Sequence, residues 1–219
     1  WYEQRRENPI LHIRLFFENK RFARSSYAAL LNYAAVYAVT YMVSLYLQSI
    51  GQLNAAEAGM IMLFQPLIQV VATPVAGKIS DKVDAKYLVT GGMILTIVGL
   101  LFLSGLGLSM TNVAGYIMIT QVFIALGAAL FSAPNTSTIM GSVAPAEYSM
   151  ASSVVSVVRQ VGMLISMAVC MAAVSVFVGG TDMLGPDMYA EFVEALRVSM
   201  LISAGIAVAG VFFSWFRGP

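Results

Sequence analysis

Cysteine, histidine and charge are all scarce in this 219-residue sequence. Its single cysteine, Cys170, excludes an internal disulfide and a cysteine-based metal cluster, and its single histidine, His12, excludes any site that needs two imidazoles. No Ser/His/acid set and no glycine-rich phosphate loop of the Walker type is present. We therefore expect a protein that is not an enzyme and uses no metal or cofactor. Cys170 is expected to be buried, and His12 to be a surface side chain.

Charged residues form 11% of the chain, against about 25% of an average soluble domain, while hydrophobic residues form 59%. A soluble core of this length cannot bury so much apolar surface, so lipid must be the solvent for most of the chain. Six apolar runs are each near or above the ~20 residues that a membrane-spanning helix needs. The sequence therefore predicts an all-α membrane protein with spans at about 23–50, 57–78, 85–107, 112–141, 147–178 and 190–216.

Lysine and arginine are distributed unevenly about these spans. Of the twelve, six lie in residues 1–24, three in residues 78–86 and one at Arg217. The alternate loops contain none; they are residues 51–56, 107–112 and 179–189. Because cytoplasmic loops are enriched in these residues, both ends of the bundle are predicted to be cytoplasmic. Basic residues at membrane edges give no indication of nucleic-acid binding.

Two predictions about organisation follow. Residues 1–22 are expected to be a cytoplasmic juxtamembrane linker, and residues 23–217 a six-helix bundle. The chain lacks an initiator Met and opens on charge, so we expect it to be a segment of a longer protein. Small residues recur in the fourth, fifth and sixth spans, where they would let helix backbones approach closely; they include Gly127, Gly162, Ser166 and Gly205.

Polar side chains inside the spans are the candidate functional residues, because desolvating them without partners is costly. Several share a helical face within their span. We predict a substrate pathway lined by Asn32, Tyr33, Tyr37, Tyr41, Gln65, Gln69, Gln121, Asn135, Arg159 and Gln160. Packing of polar helix faces against one another is the alternative interpretation for each stripe. Pro66 and Pro74 interrupt the second span and allow it to bend.

Two charge features bear on the mechanism. Arg159 lies ~18 Å from the start of its predicted helix, too deep for a simple edge charge. Its partner is a backbone carbonyl, Asn135, a substrate or a residue outside this chain; snorkelling to the cytoplasmic face is the alternative. No Asp or Glu lies in the middle of a span, and Arg197 is predicted to pair with Glu194 near the outer end of the last one.

The charged stretch between the second and third spans carries a family resemblance. Gly77, Asp81, Lys82 and Lys86 match the pattern Gly-x-x-x-Asp-(Arg/Lys)-x-Gly-x-(Arg/Lys), and Asp84 stands where the pattern has glycine. The stretch resembles the loop signature of the major facilitator superfamily. Further segments resemble the fourteen-helix drug:proton antiporter branch: residues 8–16, 21–22, 132–137, 140–141, 151–153 and 159–162.

The resemblance implies the C-terminal half of a bacterial multidrug exporter of the inner membrane. Such a half is built from two inverted three-helix repeats, and access alternates as the halves rock about a midplane substrate. The first and fourth helices would line the cavity, the second and fifth would contribute to gating, and the third and sixth would face lipid. The implied partners are an N-terminal half, the lipid bilayer, protons and small hydrophobic substrates.

The resemblance also implies a conformational-switch loop made of Gly77, Asp81, Lys82, Asp84 and Lys86. We expect Asp81 near the start of the third helix, where a carboxylate favours the positive helix end, and Asp84 beside a lysine. A loop that only sets topology is the alternative. Two other functions stay open: transport of an anionic metabolite or siderophore, which Arg159 favours, and a non-transporting membrane scaffold or sensor.

Overall fold

The computed structural model describes residues 19–108, 110, 112–179 and 185–216, and these residues form helices joined by short turns. Six segments are long and apolar enough to cross a membrane. We number the helices by span: α1 (Lys20–Ser49), α2a (Ala55–Met62), α2b (Phe64–Ser80), α3 (Ala85–Ser104), α4 (Val113–Met140), α5 (Tyr148–Phe177) and α6 (Tyr189–Trp215). This agrees with the predicted all-α membrane fold. Residues 1–18 of the predicted linker, His12 and Arg217 lie outside the described residues, and the last three linker residues, Lys20 to Phe22, belong to α1.

Most span boundaries agree with the predicted ones to within about three residues, because turn chemistry marks them. Asn54 caps α2a by accepting from the Glu57 N–H, while the Glu57 carboxylate accepts in return from the Asn54 N–H. Asn112 caps α4 by accepting from the Gly115 N–H. A short 3₁₀ turn at Pro145–Glu147 leads into α5.

The contacts between helices show an internal symmetry. If α1, α2 and α3 are exchanged for α4, α5 and α6, most contacting pairs become other contacting pairs. The close pair α3–α4 corresponds to α6–α1, and the pair α2b–α4 corresponds to α5–α1. Because successive spans alternate in direction, segments three spans apart run oppositely, so the repeats are inverted. One pair breaks the symmetry: α5 packs on α6, whereas α2b barely touches α3.

Glycine determines where the backbones approach most closely. A Cβ built on Gly92 of α3 would lie 2.7 Å from the Gly127 carbonyl oxygen of α4. A Cβ on Gly162 of α5 would lie 2.7 Å from the Leu30 carbonyl oxygen of α1. Gly127 and Gly162 therefore sit at interfaces as predicted, but the prediction for Gly205 is wrong, since its Cβ would meet no atom within 4 Å.

Polar contacts fasten the bundle internally and at one end. The hydroxyls of Thr90 and Ser214 share a buried hydrogen bond of 2.9 Å between α3 and α6. An Arg24 guanidinium N–H donates to the Phe216 carbonyl, joining the start of α1 to the end of α6. Cys170 is buried in the main apolar core, as predicted. We call the end that holds Lys78 to Lys86 the lysine end of the bundle.

One side of the bundle remains open. In the most apolar stretch of α2 only 11% of the residues are buried, and in that of α5 only 22%. The corresponding share is 50% for both α1 and α3. The exposed side chains of α1 on this side are polar or aromatic and include Tyr37, Thr40, Tyr41 and Gln48. Those of α5 include Ser152, Ser156, Arg159 and Gln160. The open side therefore carries most of the predicted pathway stripe.

Candidate functional site

A cavity of about 260 Å³ lies between α1, the two pieces of α2 and α4. Its polar lining consists of three glutamines and one threonine, so we call it the glutamine cavity. The lining residues are Val39, Thr40, Val43, Met62, Gln65, Pro66, Gln69 and Gln121. The structure thus brings together three of the four glutamines of the predicted pathway, two from the second span and one from the fourth; Gln160 lies elsewhere. Thr40 joins them from the polar stripe of α1.

The three amides are poorly satisfied within the chain. Gln121 is 3% exposed, and its Oε1 accepts no hydrogen bond from any described residue. The side chains of Gln65 and Gln69 are partly buried and likewise make no hydrogen bond within the described part of the chain. A buried acceptor without a donor costs roughly 1–3 kcal/mol. That cost applies to the buried Gln121 oxygen, whereas the partly exposed amides of Gln65 and Gln69 keep their hydrogen-bonding groups available at the cavity.

Proline explains the shape of the helix that supplies two of these glutamines. Pro66 has no N–H, and its ring conflicts with the carbonyl of Met62 four residues earlier. Leu63 lies between α2a and α2b, keeps helical dihedral angles and bonds its N–H to the Gly59 carbonyl oxygen, so what Pro66 removes is the hydrogen bond from residue 66 to Met62. Gln65 and Gln69 follow one turn apart on the same face of α2b. Within that helix the Thr73 hydroxyl donates to the Gln69 carbonyl oxygen at 2.6 Å.

The three tyrosines of the predicted pathway all lie on α1, but in two different environments. Tyr37 is 47% exposed and Tyr41 is 41% exposed, on the open side. Tyr33 is partly buried and packs against the core next to Gly162, at the α1–α5 crossing. Thr40 was not in the predicted pathway set, although its spacing from Tyr37 and Tyr33 is a signal that it shares their face of α1.

Two asparagines of the predicted pathway are buried between helices. Asn135 is 2% exposed, and its Nδ2 donates to the Ser25 carbonyl oxygen of α1 at 3.3 Å. This contact gives Asn135 a packing role between α4 and α1. Asn32 is 5% exposed, and its Oδ1 accepts no hydrogen bond from a described residue. Neither asparagine lines the glutamine cavity.

Arg159 and Gln160 lie on the exposed face of α5, apart from the glutamine cavity. The Ala38 N–H donates to the Ser166 hydroxyl at 2.9 Å, which fixes the register of α1 against α5. By that register Arg159 lies level with about residue 31 of α1, roughly 14 Å nearer the lysine end than Thr40. No hydrogen bond or ion pair joins Arg159 to another described residue. The open side thus carries two separate polar regions, one neutral and one cationic.

Comparison with known proteins identifies the family. The family model of the Major Facilitator Superfamily matches residues 26–219. The chain belongs to the Major Facilitator Superfamily. It is 29% identical over 153 residues to the riboflavin transporter RibZ of Clostridioides difficile, covering 69% of this chain and 33% of that protein.

Other relatives within the Major Facilitator Superfamily are more distant. The multidrug resistance protein Stp of Mycobacterium tuberculosis is 23% identical over 181 residues, covering 83% of this chain and 33% of Stp. The lincomycin resistance protein LmrB of Listeria monocytogenes is 21% identical over 215 residues, covering 97% of this chain and 43% of LmrB. The chain therefore spans between a third and under half of the length of these relatives.

The loop that carries the superfamily signature differs from the prediction in one respect. Asp81 caps the C-terminal end of α2b and is exposed, so placing it at the start of the third helix was wrong. Asp84 holds that position instead, and its carboxylate accepts from the Lys86 N–H at 2.9 Å. The substitution of Asp for the usual glycine therefore supplies a helix cap. Asp84 forms no ion pair with a lysine among the described residues.

Lys86, at the start of α3, contacts the last helix of the bundle rather than a residue of its own loop. Its ammonium lies 4.3 Å from the centre of the Trp215 ring at the end of α6, a cation–π contact. Tyr87 packs edge-on against the same ring. Lys82 is exposed, and Gly77 lies within α2b where a Cβ would meet no atom within 4 Å. The loop is therefore joined to α6 at its third lysine, while its first half is free to contact another part of a superfamily transporter.

Proposed function

We propose that the full protein is a secondary transporter that exports small hydrophobic compounds in exchange for protons by alternating access. The observation that carries this proposal is the glutamine cavity, formed where three spans of a superfamily bundle meet on its open side. Open access from α1, α2 and α5 suits a surface that meets a second half of the transporter. The names of Stp and LmrB support an export function.

The proposal assigns the coupling carboxylate to a part of the protein outside this chain. The acidic residues near the described spans lie at their ends, as Glu57, Glu147 and Glu191 do in the first turns. A proton-coupled exporter needs an ionisable group within the membrane, where such residues mark proton relays. We propose that an N-terminal half supplies it and that the protein resides in a bacterial inner membrane with both ends of this bundle cytoplasmic.

Flux in reconstituted vesicles tests the proposal. We expect full-length protein in proteoliposomes to move the cationic dye ethidium only when a pH gradient is imposed. Tyr37→Ala and Gln69→Ala should change the relative rates for chemically different substrates at unchanged expression. Ile94→Ala is the matched control, because Ile94 is an exposed apolar residue of α3 away from the cavity. Flux that ignores the gradient, or equal profiles in all variants, would contradict the proposal.

A second candidate is transport of anionic solutes. It is favoured by Arg159, which is exposed on the open side and makes no ion pair with a described residue. An unpaired arginine at membrane depth is costly unless an anion or polar partner meets it. Under this candidate, Arg159→Gln should abolish flux of an anionic dye such as fluorescein and spare ethidium. Loss of both, or of ethidium alone, would contradict it.

A further inference from the structure

The helix pair that breaks the internal symmetry of the bundle borders a second large cavity. Whereas α5 packs on α6, α2b barely touches α3, so these two helices stand apart where their counterparts meet. A cavity of about 640 Å³ lies between them, and side chains of α4 form its floor. All of its lining side chains are apolar, so we call it the apolar groove.

One face of α2b forms a wall of the apolar groove along almost the whole helix. The lining residues on this face recur at intervals of three and four and include Phe64, Leu67, Val71, Val75 and Ile79. Leu67 is 62% exposed and Val71 is 73% exposed. The glutamines of α2b lie on another face, and the apolar groove shares no lining residue with the glutamine cavity. The two sites are therefore separate.

The dimensions of the apolar groove suit a single hydrocarbon chain. Phe64 and Ile79 are about 22 Å apart along the helix axis, which exceeds the roughly 15 Å depth of one leaflet of hydrocarbon. Its volume of about 640 Å³ equals that of roughly 21 waters at about 30 Å³ each, and a methylene group is close to a water in size. One acyl chain of a membrane lipid therefore fits within it.

A smaller cavity of about 420 Å³ continues the apolar groove at the lysine end. It shares Val75 and Ile79 with the groove, and its ionic lining residues are Lys78, Asp81 and Lys82. We call it the lysine pocket. The three ionic side chains are exposed, and none forms an ion pair within the described part of the chain. Two lysines against one aspartate leave the pocket with one net positive charge.

The surface beside the apolar groove indicates what fills it. Leu95 of α3 lines the groove, and beyond the first turn of α3 the exposed residues are Ile94, Leu101 and Phe102, all apolar. Such a surface is typical of a helix that faces lipid, unlike the polar open side of α1 and α5. The groove therefore borders a surface that meets the bilayer, and a lipid can enter it from there.

The lysine pocket determines which lipid is favoured. Lipid chains are as apolar as leucine, so the groove alone does not prefer one lipid to another. Lysines near the membrane surface attract anionic lipids, about fivefold in affinity for each net charge, and basic pockets between membrane helices hold anionic headgroups. An apolar groove that ends at two unpaired ammonium groups thus matches an anionic phospholipid.

We propose that the apolar groove and the lysine pocket together bind one anionic phospholipid. One acyl chain lies between α2b and α3, the second stays in the bilayer, and the phosphate meets the ammonium groups of Lys78 and Lys82. Asp81 opposes the phosphate and limits the affinity. This site goes beyond the proposed transport function, and its occupancy is measurable without flux.

Native mass spectrometry of the purified full-length protein tests the headgroup site. The two probes share their acyl chains: dioleoyl phosphatidylglycerol is anionic, and dioleoyl phosphatidylcholine has no net charge. We expect phosphatidylglycerol to bind about fivefold tighter. This ratio should fall to about one in Lys78→Gln or Lys82→Gln and rise to about 25 in Asp81→Asn. It should persist in Lys86→Gln, because Lys86 lies outside the pocket, against Trp215.

A larger side chain in the apolar groove tests the acyl-chain site. Ala72 lines the groove, so Ala72→Phe should weaken binding of both lipids about tenfold, because the new ring occupies the space of the chain. Val70 lies on the same helix, is 72% exposed and does not line the groove, so Val70→Phe is the matched control and should bind as wild type. Should Ala72→Phe not fold, Val75→Phe fills the same groove from a half-exposed position.

The outcomes separate this inference from the proposed function. Equal affinities for the two lipids in wild type overturn it. Absence of lipid binding would mean that another part of the full protein covers the groove, which overturns it as well. A ratio that follows the charges while the groove-filling variants bind as wild type would reveal a basic surface without a chain site, and it too opposes the inference. The expected ratios without gradient-driven flux refute the proposed function alone, and gradient-driven ethidium flux without lipid preference refutes the inference alone.

Discussion

The α3–α4 crossing offers the sharpest test of the packing described here. A Cβ added at Gly92 would lie 2.7 Å from the Gly127 carbonyl oxygen and 2.9 Å from the Phe131 backbone nitrogen. Both are backbone atoms of α4, so no flexible side chain can move aside. The neighbouring Gly91 lies on the same helix, and its Cβ would meet no atom within 4 Å. Gly92→Ala and Gly91→Ala therefore add the same methyl group at adjacent positions of α3, and only the one at residue 92 meets α4.

The magnitude follows from the distances. An ordinary Cβ contact needs about 3.4 Å, so α3 and α4 must separate by roughly 0.7 Å around the new methyl group in Gly92→Ala. Overpacking of this kind costs about 1–3 kcal/mol. Replacing glycine with alanine also gains up to about 1 kcal/mol of helix propensity, but that gain is common to both variants. We expect Gly92→Ala to be less stable than Gly91→Ala by about 1–3 kcal/mol.

Unfolding of the purified full-length protein by SDS titration measures this difference. Both variants are compared with wild type in the same mixed micelles, with helicity followed by circular dichroism. If Gly92→Ala proves as stable as Gly91→Ala, the close approach of α3 and α4 is wrong. A loss of stability in Gly91→Ala of the same size would mean that this face of α3 is covered in the full protein.

Three further predictions concern single contacts. A double-mutant cycle of Thr90→Val and Ser214→Ala should give a coupling free energy of about 0.6 kcal/mol, and at most about 1.7; a zero value in SDS unfolding would contradict the buried α3–α6 bond. Asp84→Ala should lower the free energy of unfolding by about 1 kcal/mol while Asp84→Asn, which keeps the cap acceptor, changes it little; equal losses would contradict the cap. Pro66→Ala should supply an N–H that bonds to the Met62 carbonyl oxygen, join α2a to α2b and slow amide hydrogen exchange in the adjoining turns about tenfold or more; unchanged exchange would mean that local stability here does not depend on proline.

The long apolar runs and their turn residues were enough to predict the six spans, because both signals are local. The sequence predicted that Pro66 and Pro74 interrupt the second span. The structure has a helix boundary at Leu63, one turn before Pro66, because proline acts on the carbonyl four residues earlier; the interruption at Pro74 was wrong, since Pro74 lies inside α2b. Asp84 shows the same limit: the family pattern marked it as a departure, and only the turn geometry showed that it caps α3.

The candidate site was predictable in part. Spacing placed Gln65 and Gln69 on one face of a kinked helix, and the structure adds Gln121 and Thr40 across the cavity. Periodicity also placed Asn135 on the same face of α4 as Gln121, yet Asn135 donates to α1 instead. A helix of 28 residues crosses different neighbours along its length, so one face serves a cavity at one level and a helix contact at another. Which neighbour each level meets is a tertiary property.

The pairing of α1 with the last two helices has a consequence for biosynthesis. Its hydrogen bond from Ala38 to Ser166 joins residues 128 positions apart, and its other close partner is α6, later still. At about 5–20 residues per second, α1 waits roughly 6–26 s after synthesis before α5 emerges. Within this bundle, the helix that is synthesised first is thus among the last to find its partners.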